Sequence, residues 1–199
     1  VMYSWRAGYK LNLGPENIIQ ERAMICNCFK FEGSDDIGVL EWDFGDDKAM
    51  IEEFAYISKE ADEMVAHNGD KFDVRWFNAR NLIHGLPSLP DYKTVDTCAI
   101  ARRKFYLNSY KLDYLAHLLL GEGKIKTEFN LWKEISLPVM ITEMAKQVNG
   151  EVKIPKDMMD HYKRSMNFMV EYCKRDVVIL EKVFENCLLY TSPSPRDRG

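Results

Sequence analysis

Apolar positions along the chain switch between a period near two and a period near 3.6, which is the mark of mixed strands and helices. Ala23–Phe31 (A-M-I-C-N-C-F-K-F) and Ile37–Phe44 read as strands, separated by a turn over Gly33–Asp36. The short separation predicts an antiparallel pair. Asp46-Asp47 caps a helix over Lys48–Glu60 whose inner face is Met50, Ile51, Phe54 and Ile57. Met64–Ala66 is a short apolar strand. It runs into a polar turn, His67–Lys71, and then a helix with Phe72, Trp76, Phe77, Leu82 and Ile83 at near-helical spacing, ending by Gly85. Tyr92–Asp96 reads as a strand and Thr97–Phe105 as a basic helix. Ser109 caps a helix over Tyr110–Leu120, with Gly121 as its stop. Phe129–Ile135 is a short helix, and Pro138–Gln147 and Lys156–Phe184 are two more, parted by Asn149-Gly150. Two early strands, then alternating strands and helices, then helices alone, predict an α/β domain with a mixed sheet flanked by helices.

The stretch V-A-H-N-G-D-K-F-D-V-R-W-F-N-A-R, Val65–Arg80, has the strand–turn–helix form that delivers polar side chains to the carboxyl end of a strand, where sites in open α/β sheets form. Asp73 falls in the first helical turn and is the candidate ligand for a divalent metal. Asp70 is better spaced for capping. His67 either contacts a substrate or packs beneath the turn. A second polar cluster is Glu171-Tyr172-Cys173-Lys174-Arg175-Asp176, in which Tyr172 and Asp176 stand at i and i+4 on one helical face. They suit a carboxylate on a metal beside a hydroxyl that aligns a water. They equally suit a half-buried tyrosine beside a salt-bridged aspartate.

Composition adds few constraints. With 199 residues, 46% hydrophobic and 29% charged, the chain suits one soluble domain, and a net charge of -4 requires any nucleic acid to be held by a local basic patch. Arg102-Arg103-Lys104 beside Phe105 and Tyr106 is such a patch, extended by Lys124 and Lys126, although a solvated helix face has the same pattern. No run is apolar enough for a membrane span. Five scattered cysteines read as reduced core thiols, in keeping with a cytoplasmic setting. Cys26-Asn27-Cys28 is read as two thiols pointing to opposite faces of a strand. With no finger-spaced partner pair, a metal site there is disfavoured. Trp5, Trp42, Trp76 and Trp132 are expected in the core. Residues 187–199, with T-S-P-S-P-R-D, resemble a translated sequencing adapter, or else a disordered Ser/Pro tail.

Taken together, H-N-x-x-x-F-D and, about a hundred residues later, Y-x-x-x-D resemble motifs II and III of the DEDDy 3′–5′ exonucleases, the proofreading type of family B DNA polymerases and of related phage and bacterial nucleases. The likeness spans roughly residues 2–186 and takes in Val95-Asp96-Thr97 and Leu112-Asp113-Tyr114-Leu115-Ala116. It implies a ribonuclease-H-like fold and two Mg2+ or Mn2+ ions. Asp73 and Asp176 are the implied metal ligands, Tyr172 the residue that orients the attacking water, and Asn68 and Phe72 the residues that brace the site and meet the terminal nucleotide. Single-stranded DNA or RNA 3′ ends are the implied substrate. A polymerase domain or replication complex is the implied partner, in a bacterium or a phage-infected host. The family's motif I, Asp-x-Glu on the first, central strand, occurs nowhere in the 199 residues, and the expectation is that it precedes Val1 and that this fragment is inactive. Glu41-Trp42-Asp43 has the reverse order on a later strand and is a poor substitute. An exoribonuclease, or a non-catalytic nucleic-acid-binding module of the same fold, are the alternatives.

Overall fold

The computed structural model describes residues 21–90, 92–123, 125 and 129–191, with side chains described except for Phe129 and 187–191. Strand β1 (Cys26–Phe29) pairs antiparallel with β2 (Gly38–Glu41), Cys26 opposite Glu41 and Phe29 opposite Gly38. The Phe29 ring lies where a Cβ on Gly38 would sit, 2.2 Å away, so glycine lets the ring cross the partner strand and helps pin this register. Next come α1 (Lys48–Ile57) and a 3-10 turn, then β3 (Glu63–Ala66), a second 3-10 turn, α2 (Asp73–His84) and β4 (Lys93–Asp96). β3 and β4 are parallel, Ala66 opposite Asp96, with α2 as their crossover. Four helices follow: α3 (Thr97–Lys104), α4 (Leu112–Leu120), α5 (Phe129–Gln147) and α6 (Lys156–Thr191).

The fold is mixed α/β, as the alternating pattern predicts, but its sheet is in two pieces: among the described residues β1–β2 and β3–β4 are not hydrogen-bonded to each other. Their facing strands, β1 and β3, line one groove.

Three apolar clusters hold the helices in place. Leu40, Met50, Ile51, Phe54, Phe77 and Leu89 join β2, α1 and α2, with Phe54 and Phe77 stacked at 4.1 Å between ring centroids. Trp42, Leu131, Ile135, Val139, Tyr162, Met166 and Met169 join α5 to the first half of α6. Ala101, Leu115, Ala116, Ile179 and Val183 join α3 and α4 to its second half. Helix α6 therefore runs through two cores, and each fully buried aliphatic such as Ile179 contributes ~1.5–3 kcal/mol by leaving water.

Several local expectations are corrected. Asp47 is the N-cap residue of α1 but makes no side-chain cap; the Asp46 Oδ1 instead accepts the Lys48 N–H at 2.9 Å. Leu82 and Ile83 do not join the inner face of α2, being 81% and 50% exposed; that face is Phe77, Arg80 and Asn81. Ser109 is not a helix cap. Its Oγ accepts the Lys111 N–H at 3.3 Å, and α4 starts after Lys111. The expected break before Pro138 is absent, and α5 is continuous through it. Pro138 is itself fully buried, and Ile135 and Val139 bury on α6, so tertiary packing overrides proline's helix-breaking preference. Trp42 is buried and donates to Tyr162 Oη at 3.1 Å, Trp76 and Trp132 are half-buried, and Trp5 lies outside the described residues. Helix α6 continues past Asn186 to Thr191, and residues 192–199 also lie outside the description.

Candidate functional site

β3 delivers the chain to the turn that carries Asp73, and each residue of His67-Asn68-Gly69 has a physical reason to be there. His67 is half-buried, with Nδ1 2.8 Å from Thr97 Oγ1 and Nε2 2.8 Å from the Tyr110 carbonyl oxygen. It is thus a strut between β3, α3 and the segment before α4, the second of its two expected roles, and it also lines the groove described below. Asn68 adopts the left-handed conformation (φ 68°, ψ 25°), which asparagine tolerates better than most residues. Its backbone N–H donates to Asp96 Oδ1 at 2.8 Å. The same oxygen caps α3 by accepting from Cys98 and Ala99, so Asp96 ties the turn to the end of β4. A Cβ on Gly69 would fall 2.4 Å from Ala66 Cβ, so only glycine lets the turn fold back on β3. Phe72 follows, 54% exposed on the groove, its ring edge-on to Trp76 at 6.3 Å.

Asp73, at the start of α2, and Tyr172 and Asp176, one turn apart on α6, all line the groove between β1 and β3. This space of about 1660 Å³ is open to solvent. Tyr172 is half-buried against the α5–α6 cluster, and Asp176 Oδ1 is shielded from water. Asp73 faces the groove, yet the protein crowding its carboxyl desolvates it and raises its pKa above the ordinary carboxylate value. Its own backbone N–H opposes that shift, while negative charge at Cys173 and Asp96 adds to it.

Ten carboxylates line the groove against three cations, Lys30, Lys111 and Arg102, and Lys30 is spent on Glu181 at 2.6 Å. Asp113, exposed in the first turn of α4, is among the ten. Oxygen donors of this kind suit hard divalent cations. They repel phosphate until such cations are present, since unit charges 4 Å apart interact by roughly 4 kcal/mol even at an effective dielectric near 20. Arg102 lines the groove and stacks over the Tyr110 ring at 4.7 Å. Arg103 is exposed but outside the groove lining, and Lys124 and Lys126 lie outside the described residues. Neither Glu41 nor Asp43 lines it, in agreement with their rejection as a substitute pair.

Sequence reasoning missed two clusters. Asp46, Asp47 and His84 bring ligand atoms within 4.8 Å of one another. However, the Asp47 carboxylate is already filled: Arg80 Nε donates to Oδ2 at 2.7 Å and Nη2 to Oδ1 at 2.6 Å, His84 Nε2 lies 2.6 Å from Oδ1, and the Met24 N–H donates to Oδ2 at 2.8 Å. A guanidinium bonded to both oxygens leaves no room for a metal, and the cluster is a structural lock. Burial alone pushes the Asp47 carboxyl up; the Arg80, Met24 and His84 hydrogen bonds outweigh it and hold the carboxyl below its ordinary value. The second cluster is Cys26, Cys28 and Cys173. Opposite orientation of Cys26 and Cys28 is corrected: residues i and i+2 of a strand share a face, and both line the groove with Cys173. Hydrogen bonding with Cys173 first, and burial second, push both thiols well above the ordinary cysteine value.

No family model matches the chain, and no curated protein is significantly similar to it. Among the described residues no helix is long and apolar enough to cross a membrane.

Proposed function

We propose that the groove is the site of a metal-dependent 3′–5′ exonuclease of the DEDDy type, acting on single-stranded DNA ends. One observation carries the reading: Asp73, Tyr172 and Asp176, drawn from both ends of the chain, line a single open acidic groove. Asp73 and Asp176 are the residues that would hold Mg2+ or Mn2+, whose chemistry is to acidify a water and stabilise charge at the phosphorus. Tyr172 orients that water through its hydroxyl. Phe72, exposed beside Trp76, offers the terminal base a stacking face.

A ribonuclease-H-like sheet also accounts for the split into β1–β2 and β3–β4, because one further strand between β1 and β3 makes the two pieces continuous. That strand is where the family carries Asp-x-Glu, the pair absent from these 199 residues. With two of four carboxylates, metal affinity and turnover fall together. The test uses a 5′-labelled single-stranded oligonucleotide with Mn2+ and two proteins, the 199-residue chain and a version preceded by a strand bearing Asp-x-Glu. The extended protein shortens the oligonucleotide from its 3′ end, and Asp73→Asn lowers that rate at least ~100-fold, as expected when metal-borne charge stabilisation of several kcal/mol is lost. The 199-residue chain leaves the oligonucleotide intact. Metal-independent binding without cleavage by the extended protein would replace the enzyme reading with that of a binding module.

A further inference from the structure

We propose that His67 is held as an imidazolium at neutral pH and acts as a proton-linked strut, giving up one contact in the groove wall when it loses its proton. The inference is independent of the nuclease reading and rests on a count of hydrogens. Three close contacts run in series from the end of β3 to the segment before α4. Thr97 Oγ1 lies 3.1 Å from the Ala66 carbonyl oxygen, His67 Nδ1 lies 2.8 Å from Thr97 Oγ1, and His67 Nε2 lies 2.8 Å from the Tyr110 carbonyl oxygen. Each contact needs one hydrogen to be a bond, and the carbonyl oxygens at the two ends can only accept. The Thr97 hydroxyl brings one hydrogen. A neutral imidazole brings one more, so two hydrogens must serve three contacts. An imidazolium brings two, and every contact is then a bond: Nε2–H donates to Tyr110, Nδ1–H to Thr97, and the Thr97 hydroxyl to Ala66. Thr97 is fully buried, so no water takes over the bond that a neutral ring leaves unmade. The two bonds from the ring are also of the stronger, charge-assisted kind.

The same count says which proton leaves and what then moves. The partner of Nε2 is a carbonyl, which cannot donate, so Nε2 keeps its hydrogen and Nδ1 gives up its own to solvent. Nδ1 becomes an acceptor, the Thr97 hydroxyl turns from Ala66 to it, and the last carbonyl of β3 loses that bond. The charged groups on the braced elements are mixed. Asp96, at the junction of β4 and α3, accepts the N–H of Asn68, the residue after His67, at 2.8 Å. On α3, the Cys98 S–H shares the Tyr110 oxygen at 3.6 Å, and Arg102 lies over the Tyr110 ring at 4.7 Å. Lys111 and Asp113 stand at the start of α4, and the groove that His67 lines carries far more acids than bases, which favours a cation at its wall. Folding thus supplies partners to the charged ring. That stabilisation is complete below the ordinary histidine value near 6.5 and is lost as pH rises through the higher folded value.

The experiment follows the ring resonances of the four histidines in the 199-residue chain, labelled with 15N-histidine, by NMR across the neutral pH range. The signals of His67 are assigned by their loss in His67→Gln. The expected result is that both ring nitrogens of His67 carry hydrogen at pH 7, with a proton affinity roughly tenfold above that of an ordinary histidine, the size of one hydrogen bond from a charged donor. On raising the pH, Nδ1 is the nitrogen that loses its proton. Thr97→Val, which keeps the shape and removes the hydroxyl, lowers the proton affinity about tenfold, whereas Thr97→Ser, which keeps the hydroxyl, holds it near the wild-type value. If Thr97→Val fails to fold, the wild-type titration decides alone. A His67 that is neutral at pH 7, a proton lost from Nε2 instead of Nδ1, or an affinity that folded Thr97→Val leaves in place overturns the proposal.

Discussion

Asp73 illustrates how a candidate site residue trades folding for chemistry. Its pKa is raised, chiefly by desolvation, so folding disfavours its charged form. The chain therefore keeps this part of its stability only below the ordinary carboxylate pKa near 4. Stability falls as pH rises from there to the raised folded value, and stays lower at neutral pH. Asp73→Asn removes the charge, so in metal-free buffer at pH 7 it melts slightly above wild type, by ~0.5 kcal/mol, the usual size at an exposed position. The difference vanishes below about pH 4, where wild type is also neutral. With MnCl2 at pH 7 the order reverses, because a bound cation stabilises only the carboxylate. Thermal melts of the two proteins, with and without Mn2+, check all three statements. A variant that melts below wild type without metal at pH 7 would mean Asp73 is a structural residue. The turn that holds Asp73 was legible because its causes are local: an apolar stub, an Asn-Gly turn, and a helical phase starting at Asp73. His67 was legible in position but not in role. Its partners, Thr97 and Tyr110, are 30 and 43 residues away, and no local pattern encodes such contacts.

At the scale of elements, the Asp47–Arg80–His84 lock joins the start of α1 to α2 and, through Met24 and Arg22, to the segment that leads into β1. It holds the acidic turn in place from behind, because α2 begins with Asp73. Asp47 and Arg80 are 0% and 5% exposed. Removing one partner of such a pair strands a buried charge at a cost of ~3–5 kcal/mol, so Asp47→Ala is expected to lower the melting temperature by ~10 °C. The pH dependence has the opposite sign to that of Asp73. A carboxyl held below its ordinary value stabilises the fold above that value, and the contribution is lost as pH falls through the folded pKa. The gap between wild type and Asp47→Ala in urea melts should therefore be widest at pH 7 and shrink below pH 4. A gap that persists unchanged at low pH would show that the lock works by packing alone. The pair escaped sequence reading for a definite reason. Two adjacent aspartates before a helix both look like caps, and only the partner on another element tells Asp46, whose side chain accepts from the first turn, from the inward-turned Asp47. The same limit hid the thiol cluster, since Cys173 meets Cys26 and Cys28 only once α6 lies on β1.

For the whole molecule, α6 is the member that makes a site possible. Tyr162, Met166 and Met169 fix its first half, Ile179 and Val183 fix its second, and between them Tyr172, Cys173, Asp176 and Val177 line the groove. The i and i+4 spacing of Tyr172 and Asp176 was readable from sequence; that this face shares a groove with Asp73 depends on two cores that α3, α4, α5 and Trp42 form with α6. On the proposed function, the charge of the resulting groove sets how nucleic acid would enter it. Its excess of carboxylates makes the metal-free protein a poor binder of single strands despite the basic α3. Divalent cations must lower that barrier before Arg102, which lines the groove and is held over Tyr110, adds a phosphate contact. Single-strand affinity should therefore rise with Mn2+ even where no cleavage follows, as read by fluorescence anisotropy of a labelled oligonucleotide. In Mn2+, Arg102→Ala should flatten the dependence of log affinity on log salt by about 0.7, the value of one single-strand phosphate contact. Arg103→Ala, outside the groove, should leave the slope alone. Equal effects of the two substitutions would shift the footprint from the groove to the outer face of α3, and affinity that Mn2+ fails to raise would mean that nucleic acid does not pass the carboxylates at all.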